Sequence, residues 1–93
     1  MAHYTTRVEL HDATEENYQT LQAAMEELGF TRTIIAHDGT AHRLPSAEYN
    51  YEGEIPIDTV LDKAKYAAET TDLKHEILVS EAPKRRWYGL EKL

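Results

Sequence analysis

The feature that most constrains this chain is a change of hydrophobic period near its start. Tyr4, Thr6, Val8 and Leu10 alternate with His3, Thr5, Arg7 and Glu9. That period of two reads as a strand with one face buried and one face wet. Tyr18, Leu21, Met25 and Leu28 then recur at spacings of three, four and three, a single helical stripe. Between the two patterns, Asp12-Ala13-Thr14-Glu15 offers a capping side chain with an acid three residues later, and Gly29 suits the residue just past the helix end.

The rest of the chain repeats the theme. Thr31 to Ala36 is β-branched and apolar, and Asp38-Gly39 suits a two-residue hairpin turn. A return strand follows, broken or bulged at Pro45, with Ala47, Tyr49 and Tyr51 on one face and Gly53 at its end. Pro56 fits the first turn of a second helix, whose stripe is Ile57, Val60, Leu61, Ala64 and Ala67 or Ala68. Glu76 to Val79 reads as a last strand. The order strand, helix, strand, strand, helix, strand predicts an α+β fold of the ferredoxin-like βαββαβ kind. Four antiparallel strands would carry both helices on one face. The expected layout is one domain over residues 1–82 and a basic, aromatic tail over 83–93. A sheet covered on one face only leaves the other bare, so a homodimer is expected.

Composition sharpens this. Ninety-three residues can build one core. Leu, Ile, Val and Phe make up only 18 of them, so the six tyrosines and Trp87 must supply apolar area. The net charge of −7 disfavours a broadly basic nucleic-acid scaffold, and the lack of cysteine excludes disulfides, thiol catalysis and Cys-type zinc sites. No apolar run reaches the length of a membrane span and the start has no apolar signal core, so no membrane association and a cytoplasmic setting are expected.

Tyr4, Val8 and Glu9, then Tyr18, Leu21, Met25 and Phe30, then Gly39, Leu44 and Tyr49 form a pattern that resembles the GhoS family over about the first half of the chain. Those are small ferredoxin-like endoribonuclease antitoxins of type V toxin–antitoxin systems. The resemblance implies cleavage of a toxin messenger RNA. The second half agrees in the order of its elements. The fold implied is also similar to the small CRISPR adaptation nuclease subunit, a homodimer with a metal-binding Asp just after its first strand. Asp12 holds that place here, and two such carboxylates facing across a dimer axis would suit Mg²⁺. The plain alternative is that Asp12 caps the first helix. Gln19, Thr20 and Gln22, followed by Glu26 and Glu27, give that helix a neutral to acidic exposed side.

Two further groups carry chemistry. With a two-residue turn at Asp38-Gly39, His37 and His42 fall on one face of the hairpin. One imidazole would then act as base on a ribose 2′-hydroxyl and the other would protonate the leaving oxygen, which is RNA cleavage without a metal. Both histidines also fit an ordinary polar hairpin tip. Residues 1–62 hold 3 basic and 12 acidic side chains, whereas residues 63–93 hold 7 and 5. The densest basic stretch is Lys84-Arg85-Arg86 beside Trp87 and Tyr88, suited to RNA through charge and stacking. It is equally suited to pairing with the acidic part of its own domain or of a dimer mate. The leading expectation is an antitoxin with candidate endoribonuclease activity. The other is a non-enzymatic module whose acidic surface engages a basic protein.

Overall fold

A computed structural model describes residues 2–93. The elements run β1 (Ala2–Leu10), α1 (Glu15–Glu27), β2 (Thr33–Ile35), β3 (Ala41–Arg43), β4 (Glu48–Gly53), α2 (Ile57–Glu69) and β5 (His75–Glu81). The fold is α+β. β1 lies at the centre of an antiparallel sheet of order β4-β1-β5, while β2 and β3 form a separate two-stranded ribbon. The expected single sheet of four strands is therefore corrected. Thr31 still bridges Asn50 of β4 through two backbone hydrogen bonds of 2.9 and 2.7 Å, but the chain then turns away into the ribbon. Pro45 explains the split. It has no N–H to give a ladder, so the return strand divides into β3 before it and β4 after it.

The core lies where the period of two predicts. Tyr4, Thr6, Val8 and Leu10 of β1 are buried. Against them pack Leu21 and Met25 of α1 and Val60, Ala64, Ala67 and Ala68 of α2, with Phe30 and Tyr49. The alanines of α2 have little bulk, so the helix can approach the sheet closely. Ile57, assigned above to that stripe, is 38% exposed at the first position of α2.

Two local expectations change. The cap of α1 is Thr14, not Asp12: its Oγ1 accepts from the Asn17 N–H at 3.2 Å, and the Asn17 side chain accepts from the Thr14 N–H at 2.9 Å. An N-cap needs extended backbone, which Thr14 has (φ −88°), whereas Asp12 is left-handed at φ 53°. The hairpin loop is three residues, not two. Ala36 accepts from Gly39 and donates to Thr40, and Gly39 takes φ 87°, the left-handed place that follows a tight turn in a three-residue loop. Ile34 therefore pairs with His42, and His37 falls in the loop itself. His37 and His42 do not share a strand face.

The sheet face away from the helices is not bare either. After β5 the tail turns back across it, and its end runs along β3. Arg43 N–H donates to Glu91 at 2.9 Å, Leu93 N–H donates to Ala41 at 2.9 Å, and Lys92 bridges His42. No helix among the described residues is long and apolar enough to cross a membrane.

Candidate functional site

The return of the tail creates a concavity. A cleft of about 680 Å³ opens between the tail, the ribbon and the start of β1. Ile34 and Ile35 form its apolar wall. His3, His37, Lys84, Arg85, Arg86 and Trp87 also line it. A smaller cavity of about 260 Å³, bounded by Thr5, Leu44 and Leu90 among others, lies on the other side of Arg85, Arg86 and Trp87.

Arg85 fixes the tail. Its guanidinium donates to Asn50 Oδ1 at 2.8 Å and to Thr5 Oγ1 at 3.2 Å, joining the tail to the wet faces of β4 and β1. Asn50 is buried as a result, a polar residue opposite the core side of its strand that nevertheless has its partner. Burial lowers the Arg85 pKa while the Glu52 carboxylate raises it, and the guanidinium stays charged. Arg86 donates to the Arg85 carbonyl at 2.8 Å. Lys84 and Arg86 are exposed, so the positive charge open to a ligand is theirs.

Trp87 is half-buried, with its ring 5.6 Å from the His42 ring at an interplanar angle of 59°. His42 faces inward in this contact. Its Nε2 lies 3.0 Å from Thr40 Oγ1, and its Nδ1 is buried without a hydrogen-bond partner among the described residues. Thr40 in turn donates to Asp38 through its hydroxyl at 2.7 Å and its N–H at 3.0 Å. Those two bonds are the main reason the Asp38 carboxyl sits below its ordinary pKa. The polar hairpin tip is thus an ordered network that aims His42 at Trp87 and leaves His37 exposed at the cleft.

Of the residues expected from sequence, His37, Lys84, Arg85, Arg86 and Trp87 come together in this cleft, and His42 packs behind it. Asp12 does not join them. It lies past the far end of β1, and the strand from His3 to Leu10 alone spans about 23 Å at the rise of an extended chain. His11, beside it, lies 3.1 Å from Glu76, and among the described residues no three His, Asp or Glu side chains gather to hold a metal ion. The expected Mg²⁺ site would need the carboxylate of a second copy beside that of Asp12. Sequence reasoning missed His3, whose Nδ1 lies 3.0 Å from Glu52. Its place at the cleft follows from the tail's path, which no periodicity encodes. No protein-family model matches the chain, and no curated protein matches it.

Proposed function

We propose that this chain is a small RNA-binding protein, a candidate endoribonuclease of the antitoxin kind its sequence resembles, and that it takes single-stranded RNA in the tail cleft. The observation that carries the reading is the convergence of Lys84, Arg86 and Trp87 with two histidines in one cleft. In a chain of net charge −7, such a gathering of cations has a local use. Lys84 and Arg86 suit phosphate oxygens, while the apolar wall and the Trp87 edge suit a base. The β5-β1-β4 order with its Thr31–Asn50 bridge supports a ferredoxin-like ancestry in which the fourth strand has shrunk to one bridge. A cytoplasmic setting belongs to the same proposal.

The chemistry assigned to the cleft uses its two histidines, His37 and His3. His37 takes the proton of a ribose 2′-hydroxyl, and the freed oxygen attacks the adjacent phosphorus. The bond from phosphorus to the 5′-oxygen breaks, and His3 protonates that oxygen. The products are a 2′,3′-cyclic phosphate and a 5′-hydroxyl. His42 is left out of this scheme because it is engaged with Thr40 and Trp87.

A mixed single-stranded RNA pool, with and without Mg²⁺, tests the proposal. Cleavage should proceed in chelator, leave cyclic phosphate ends, and fall ~100-fold in His37→Ala. Replacing Lys84 and Arg86 with Ala should weaken binding and flatten its salt dependence. RNA that stays intact and unbound at low salt overturns the reading. Cleavage lost on chelation and in Asp12→Asn would move the chemistry to Asp12.

A second reading has its own observation. α1 carries Glu15 and Glu16 in its first turn, Glu26 and Glu27 exposed near its end, and no basic residue in its last turn. That acidic helix suits a basic protein partner. Inert RNA together with a recovered basic protein would favour it.

A further inference from the structure

We propose that β5 is a pairing edge for a second copy of this chain, joining two sheets into one continuous sheet across a twofold axis at Leu78. β5 hydrogen-bonds to β1 on one side only and is the edge of its sheet. The register identifies which backbone groups remain. His3 accepts from the Ala82 N–H, and His11 donates to the Lys74 carbonyl, so the even-numbered residues of β5 direct their N–H and C=O groups at β1. The odd-numbered ones, His75, Ile77, Val79 and Glu81, direct theirs outward. Seven extended residues without a proline or a bulge form an open template for another strand.

Three features select a second copy as the occupant. First, an antiparallel pairing centred on Leu78 places Ile77 against Val79 and His75 against Glu81, which are the pairs whose outward backbone groups meet. The first pair joins two β-branched apolar side chains, and the second sets an imidazole against a carboxylate. Second, the same register sets Glu76 beside Ser80, so no carboxylate faces another across the junction, although the chain is strongly acidic. Shifting the axis by one residue toward the carboxyl end, to Val79, loses the His75–Glu81 pair. Third, Leu78 is an apolar side chain 64% exposed on the sheet face away from the helices. At the axis it meets its own symmetry mate.

The pairing also reaches the cleft. Continuing the register sets Lys74 of the second copy opposite Ala82, and Ala82 lines the cleft. Lys74 shares its strand face with Glu76, Leu78 and Ser80, on the side where the tail runs. Each cleft thus gains a cation at its margin from the other copy. The pairing itself does not depend on what the cleft binds.

Sedimentation equilibrium of the full chain tests this. Wild type should be a dimer. Val79→Pro removes an outward N–H that the single copy does not use, and Leu78→Lys sets two ammonium groups face to face at the axis. Each should raise the dissociation constant at least about tenfold with circular dichroism unchanged. Glu81→Lys should weaken the dimer by removing the carboxylate opposite His75, and adding His75→Glu should restore it, because a carboxylate then faces an ammonium across the same pair. Restoration ties the effect to this register. A wild type that stays monomeric at its highest soluble concentration overturns the proposal, as does a dimer indifferent to both Val79→Pro and Leu78→Lys.

Discussion

The two faces of β1 are held by different forces. On one face Tyr4, Thr6, Val8 and Leu10 are buried under two helices. On the other, His3, Thr5, Arg7 and Glu9 stay partly wet, and the tail is fixed there by the Arg85 hydrogen bonds to Thr5 and Asn50. The first face draws on burial, which scales with apolar area and comes from many side chains at once. The second depends on a few directional bonds, so one side chain can undo much of it. Stability should therefore reside on the helix face, and ligand binding on the tail face, where a segment held by few contacts can adjust.

The largest test of that division is Leu21→Asp. Leu21 is wholly buried in the middle of the α1 stripe, and a carboxylate there has no cationic partner. A loss of about 3–5 kcal/mol in chemical denaturation is expected, enough to unfold much of a small domain. Gln22→Asp, one residue on and only half-buried, should cost about 1 kcal/mol or less. If the two variants exchange these effects, the apolar face of α1 does not hold the fold together.

The same division explains what was readable in the sequence. β1, both helices, β5 and the inward tyrosines follow from period and punctuation, because burial imposes a repeat on the chain. Tyr49 and Tyr51 illustrate this: Tyr49 is buried, and Tyr51 packs 5.1 Å from Phe30 as the alternation with Glu48, Asn50 and Glu52 requires. The ribbon was not readable in the same way. Whether Thr31 to Ala36 stays with β4 or leaves it depends on Pro45 and on competition from the tail, and both are contacts between distant residues. The three-residue loop turns on a single left-handed glycine, which Asp38-Gly39 supports at either loop length. The basic tail was recognisable as a special segment, but its target was not. Arg85 reaches residues 80 and 35 positions away, and polar pairing at such separations leaves no periodic trace.

Arg85→Ala probes the weaker face. The side chain is partly solvated, so its two hydrogen bonds should be worth about 1–2 kcal/mol, and their loss leaves the buried Asn50 without that donor. The global melting temperature should fall only modestly. Trp87 is the only tryptophan, so its fluorescence reports the tail directly. Its emission should shift toward that of a solvated indole well before the helices melt. A single transition shared by Trp87 and the helical signal would show that tail and core fold as one unit, and the contrast between the faces would be lost.

The smallest effect at neutral pH is expected inside the stronger face. Tyr49 packs edge-on to Phe30 at 6.5 Å, and its hydroxyl is buried with no hydrogen-bond partner among the described residues. Burial raises its pKa to about 12. An unpaired buried hydroxyl contributes nothing that a phenyl ring lacks, so Tyr49→Phe should shift stability by less than about 1 kcal/mol at neutral pH, toward a gain. Alkali should separate the two proteins. In the unfolded chain a tyrosine ionises near ~10, whereas Tyr49 in the fold stays neutral until about 12. The advantage of the neutral buried form is complete below the unfolded value and is lost as pH rises toward the folded one. Wild type should then lose about 2–3 kcal/mol that Tyr49→Phe retains. Tyr4, whose pKa is also raised chiefly by burial, titrates in both proteins and cancels in the difference. Denaturation curves at neutral pH and near the folded value measure this difference, and parallel losses in the two proteins would place the Tyr49 hydroxyl in contact with water rather than in the core.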